Sequence, residues 1–269
     1  MHFNRVKYLL VAMLAVFALG AVAAGSAQAE PTYHHKGAAL TESFAVRYTS
    51  MWSRLWGWEL GVVIVCEKDN GTGTITTKGE DTVEGLVYTG CKVYEATKNA
   101  TTKQYEQGDP LTKCGVKGGG GVEGEIKLPA LKSKLVYVPK STEKELLVRL
   151  EPKEGTTFVT LEVTGTECLA KGTFKVTGSV LGWVPRPEQT AGPLEEAVAN
   201  SVLFEVKNNN EAKETEGGPP RQYYKSYELG GVTTEDVLKL EGKPTAYEST
   251  EQVELTEVSS KTGLFSAHV

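Results

Sequence analysis

The sequence predicts an all-β fold, a disulfide-stapled β-sandwich or barrel-like domain with a short N-terminal helix. Three observations point there. From residue 59 onward, short apolar runs alternate with Gly, Asn and Pro turns. Four cysteines, Cys66, Cys91, Cys114 and Cys168, are spread through the same stretch. An export signal precedes them, which places the cysteines where disulfides form.

The signal is residues 1–29. Arg5 and Lys7 open it, an apolar run covers 8–24, and Ala27-Gln28-Ala29 supplies the small-residue exit. Cleavage after Ala29 would leave 240 residues beginning at Glu30, a secreted product. Losing two cations and no acid takes the net charge from −5 to −7. An acidic chain is poorly matched to nucleic acid, and no second long apolar run offers an integral membrane anchor.

Residues 30–58 form an N-terminal segment. Its first eight residues read as a polar, mobile start. Leu40, Phe44, Tyr48, Met51, Trp52, Leu55 and Trp56 then follow at spacings of three and four, which predicts a helix ended by Gly57. Residues 59–190 are the predicted core. The continuous run 61–66 reads as a strand buried on both faces, and Asp69-Asn70-Gly71 as a hairpin turn. Strands are expected at 72–78 and 83–94. In the second, Val87, Cys91 and Val93 share one face, and Leu86, Tyr88 and Tyr94 the other.

Residues 95–121 read as a long polar connection ending in four glycines. Further strands fall at 123–128, 134–139, 144–151, 156–164 and 172–184, where apolar residues alternate. Residues 191–269 form a C-terminal extension packed on the same domain. It holds a helical turn near 194–200, a strand at 201–207, a flexible loop to residue 220, and weaker strands at 222–229, 237–240 and 252–258.

Four cysteines allow three pairings, and the sequence alone does not choose among them. The expected arrangement is Cys91–Cys114, which would tie back the 92–113 excursion, with Cys66–Cys168 joining an early strand to a late one. No Cys-x-x-Cys spacing occurs, so thioredoxin-like redox chemistry has no support.

The segment 59–184 resembles a large, highly paralogous group of bacterial secreted proteins of unassigned function. The matching stretches are Gly61-Val62-Val63-Ile64-Val65-Cys66, Val87-Tyr88-Thr89-Gly90-Cys91, the Cys114 segment and Leu131-Lys132-Ser133-Lys134-Leu135-Val136-Tyr137. Leu146-Leu147-Val148-Arg149-Leu150-Glu151-Pro152, Gly155-Thr156-Thr157-Phe158-Val159-Thr160-Leu161-Glu162, Cys168 and Lys175-Val176-Thr177-Gly178-Ser179-Val180 come next, in order. The resemblance implies secretion, β-rich architecture and paired cysteines, and it carries over no functional residue.

Histidine is missing between Lys36 and Ala267, so Ser-His-Asp and Cys-His chemistry has no imidazole there. His34-His35 sits in the polar start and reads as part of it. Gly118–Gly121 lacks the Gly-Lys-Ser/Thr ending of a phosphate-cradling loop, and no cofactor or metal is expected. The expected function is a non-enzymatic binding or structural module, secreted or at the cell envelope, with a cell-wall glycan or surface protein as partner. Trp52, Trp56 and Trp58 are the candidate binding surface, against the plainer reading that they pack the core. The alternatives are a glycan hydrolase using a Glu/Asp pair and an inhibitor of secreted hydrolases presenting the 92–113 loop.

Overall fold

The computed structural model describes residues 30–35, 38–101, 105–140, 145–168, 170–184, 202–208, 225–256 and 265–268. The expected signal at 1–29, the helical turn near 194–200 and the loop ending at 220 lie outside them. The described residues are all-β, with a single helical turn, a 3₁₀ turn at Trp58–Leu60.

One strongly curled sheet dominates. Phe44–Gly57 pairs with Lys68–Ile75, which pairs with Glu80–Thr89, and that strand with Leu131–Tyr137. The path continues through Leu146–Pro152, Val180–Val184, Val202–Asn208 and Ala246–Leu255, which returns to Phe44–Gly57. All eight pairings are antiparallel, and the ring encloses the main core, where Val46, Ile75, Leu131, Leu135 and Leu161 are buried. The C-terminal strand Ala246–Leu255 therefore belongs to the same sheet as the N-terminal segment.

Two branches leave the ring. The second half of Phe44–Gly57 carries Val62–Cys66, then Lys92–Lys98 and Tyr105–Pro110. The second half of Glu80–Thr89 carries Glu125–Lys127, followed by Gly115–Gly118, Thr157–Thr164 and Gly172–Thr177. A separate three-stranded sheet pairs Thr32–His35 with Ala38–Ala39 and Phe265–His268, and it brings Tyr33, fully buried, onto the core.

The predicted N-terminal helix is replaced by the 14-residue strand Phe44–Gly57. Phe44, Val46 and Tyr48 face inward at the two-residue period of a strand. Ser50 then pairs with Glu251 and Ser53 with Ser249, so one extra residue is inserted at Met51-Trp52. Such a bulge reverses the facing of the residues beyond it, and Ser53 and Leu55 turn inward instead. Combining the inward Tyr48 and Leu55 with the outward Trp52 and Trp56 imitates helical spacing.

The predicted turn at Asp69-Asn70-Gly71 lies inside the strand Lys68–Ile75, and the chain reverses at residues 76–79. Asp69 is held inside the sheet, accepting a hydrogen bond from Ser50 Oγ across the pairing Ser50–Asp69. This moved turn also corrects the disulfides, which are Cys66–Cys91 and Cys114–Cys168. Lys68 pairs with Thr89, so two residues further out on each strand Cys66 and Cys91 face one another. Cys114 precedes Gly115–Gly118 and Cys168 follows Thr157–Thr164, and those two strands pair. Each disulfide thus staples strands that are already neighbours.

The expected 95–121 connection is largely strand: the Lys92–Lys98/Tyr105–Pro110 hairpin and then Gly115–Gly118. Its glycines make a turn in which Gly119 and Gly120 take positive φ and Gly121 N–H donates to the Gly118 carbonyl. A Cβ on Gly119 would fall 1.9 Å from the Lys127 carbonyl oxygen, so close backbone approach explains that glycine.

Candidate functional site: an aromatic groove between two hairpin tips

Strand alternation puts Trp52, Arg54 and Trp56 on the outer face of the sheet. The Arg54 guanidinium lies 5.1 Å from the Trp52 ring centre and 5.8 Å from that of Trp56. Glu248, directly opposite Arg54 on the neighbouring strand, ion-pairs with it at 3.3 Å. Burial pushes the Glu248 carboxyl above its ordinary range, while Arg54 and the Trp56 indole act in the opposite direction. Trp56 is 4% exposed and packs on Val63 and Ala246. Trp52 is half-buried beside Arg54, so this row is a stacked outer layer of the sheet rather than an open platform.

Trp58 stands apart. It begins the 3₁₀ turn joining Phe44–Gly57 to Val62–Cys66, which Gly61 closes with φ 67°. A second hairpin tip faces it. Lys239–Leu240 pairs with Lys243–Pro244 across Glu241-Gly242, and both turn residues take positive φ, as a tight hairpin requires. Trp58 Nε1 donates to the Pro244 carbonyl at 3.3 Å, Lys243 ion-pairs with Glu59, and Thr245 Oγ1 donates to the Trp56 carbonyl.

Between the tips runs a groove of about 230 Å³ walled by Trp56, Trp58, Leu240 and Pro244, with Glu59, Glu241 and Lys243 at its edges. Tyr105, whose ring centre is 6.5 Å from that of Trp58, extends the aromatic surface. Of the three tryptophans singled out in the sequence, the groove brings together Trp56 and Trp58 and leaves Trp52 on the Arg54 stack. Sequence reasoning missed Glu241, Lys243 and Pro244. The Glu-Gly pair at 241–242 is the local signal for the hairpin that delivers them. Trp183 lies elsewhere, packed like Tyr227 against Val136, Leu147 and Leu181.

Among the described residues, two carboxyl groups are held above their ordinary range. Asp81, paired with Ser133 on the neighbouring strand, receives hydrogen bonds from Ser133 Oγ at 2.5 Å and Tyr33 Oη at 3.4 Å. Burial raises it to about 6, and hydrogen bonds from Ser133, Tyr48 and Tyr33 partly offset that rise. Glu248 is the other, on the outer face. Glu59 and Glu241, which do reach the groove, are engaged by Lys243 and by the Lys175 backbone N–H. Among the described residues no three His, Cys, Asp or Glu side chains are grouped to hold a metal ion, and no helix is long and apolar enough to cross a membrane.

Fold and groove together define an all-β, doubly disulfide-bonded curled-sheet protein with an aromatic cleft at two hairpin tips. The chain matches no protein-family model, no curated protein and no solved structure.

Proposed function

We propose that this protein is an exported, non-enzymatic binding module of the cell envelope or its surroundings, and that it takes a glycan in the Trp56/Trp58 groove. The groove carries the reading: the Trp58 indole beside carboxylate and ammonium groups suits a sugar, whose C–H face stacks on an aromatic ring while its hydroxyls meet charged edges. The two hairpin tips are pinned by the Trp58–Pro244 hydrogen bond and the Glu59–Lys243 pair, so little ordering is needed on binding. Export rests on the residue 1–29 signal, and two intact disulfides are compatible with it. The resemblance over 59–184 to secreted bacterial proteins supports the same destination.

A non-enzymatic role fits the carboxyl placement. Asp81 and Glu248 sit inside the ring and on its outer sheet face, and both groove acids have structural partners. The test is retention of the purified, oxidised protein on insoluble cell-wall polysaccharide, with Trp58→Ala and Met51→Ala alongside. Met51 is 81% exposed and away from the groove lining. Saturable retention kept by Met51→Ala and weakened at least tenfold by Trp58→Ala is expected. Absence of saturable retention by the unaltered protein would overturn the reading.

A further inference from the structure

The core inside the ring is not completely filled. A cavity of about 70 Å³ lies among Leu55, Ile64, Leu150, Phe158, Val180 and Tyr247. Leu55, Leu128, Leu150 and Tyr247 pack on the buried core yet keep partial exposure. Leu131 and Leu135, in filled parts of the same interior, are 0% exposed. The cavity surface and a way out account for that difference.

Its wall is almost wholly hydrocarbon. Polarity is confined to Ser53 and to the hydroxyls of Tyr88 and Tyr247, which hydrogen-bond to each other at 2.9 Å. Water in a buried site needs two to four polar partners, and an apolar cavity of roughly 150 Å³ is enough to hold benzene. The space here is about half that size, which suits the end of a chain rather than a ring.

We propose that this cavity is a second binding site, separate from the outer groove, that takes the terminal carbons of an aliphatic chain. The exposed sides of Leu55, Leu128 and Leu150 carry the rest of the chain toward solvent, and the Tyr88–Tyr247 pair is a polar point along the wall. The strands around it come from both branches and from the ring, and the Cys66–Cys91 disulfide borders it, so the wall is fixed from several directions.

The test is a titration of the oxidised protein with octan-1-ol, read on its Leu, Val and Ile methyl resonances. Val180→Phe, which fills the cavity from its wall, and Trp58→Ala are titrated in parallel. Saturable shifts centred on Leu55, Ile64 and Leu150 are expected, unchanged in Trp58→Ala and weakened at least tenfold in Val180→Phe. Leu150→Phe fills the same space and replaces Val180→Phe if that variant does not fold. Non-saturating shifts, shifts centred elsewhere, or equal binding by a folded filled variant would overturn the proposal. Glycan retention does not enter this readout, so failure of either site leaves the other standing.

Discussion

Asp81→Asn isolates the cost of enclosing a carboxylate within the ring. Asp81 is 4% exposed and meets Tyr33, Ser133 and Tyr48, which arrive from three different strands. Its folded-state value of about 6 lies above an ordinary aspartate near roughly 4. The unfolded chain therefore releases this proton first. Stability associated with Asp81 is fully present below about pH 4 and is lost as pH rises through about 6. The rise corresponds to about 3 kcal/mol. Other carboxylates contribute their own slopes, but they are common to both proteins and cancel in the difference. Asparagine keeps an oxygen for Ser133 and never ionises. Guanidinium unfolding of both proteins, disulfides intact, should show Asp81→Asn gaining about 3 kcal/mol on the unaltered protein between pH 3.5 and pH 7.5. A difference that stays constant across that window, or falls, would refute the argument from burial.

Other substitutions probe other parts of the structure. Trp56→Ala should cost about 3–5 kcal/mol in chemical unfolding because it empties the Val63/Ala246 cluster, whereas Trp58→Ala should cost much less and act on binding. Non-reducing peptide mapping should recover Cys66–Cys91 and Cys114–Cys168 and no crossed pair. Replacing either pair by alanines should lower stability by about 3–4 kcal/mol, the 54-residue closure by slightly more than the 25-residue one. Gly73→Ala should cost at least about 1–3 kcal/mol, since its Cβ would fall 1.8 Å from the Thr82 carbonyl oxygen. Gly155→Ala, with φ 67° and open space around it, should cost only about 1 kcal/mol.

Fold class was legible because strand signals are local. Leu146–Pro152 and Thr157–Thr164 lie within a residue or two of their expected positions, since alternation and flanking turns act along the chain. Two bulges defeated the reading elsewhere. The extra residue at Met51-Trp52 turned a strand into an apparent helix. A second bulge opposes Glu84–Val87 to Asn70–Thr72, and Gly85 adopts φ 61° to make it. Asn70-Gly71 is a strong turn signal only where the chain is free to turn. Here the Asp69 side chain is pinned by Ser50 on an adjacent strand, a contact invisible to local pattern. The turn at 76–79 together with the extra residue at Gly85-Leu86 sets Cys66 opposite Cys91. The groove was half legible: tryptophans drew attention by type, but the partner hairpin comes from more than 180 residues away.

The most direct measurement is intrinsic tryptophan fluorescence of the oxidised protein titrated with a soluble oligosaccharide prepared from bacterial cell wall. With a glycan seated against Trp58, the expected result is a saturable change that disappears in Trp58→Ala while the folded spectrum of that variant persists. An unchanged titration in folded Trp58→Ala, or no saturable change in the unaltered protein, would contradict glycan binding in the groove.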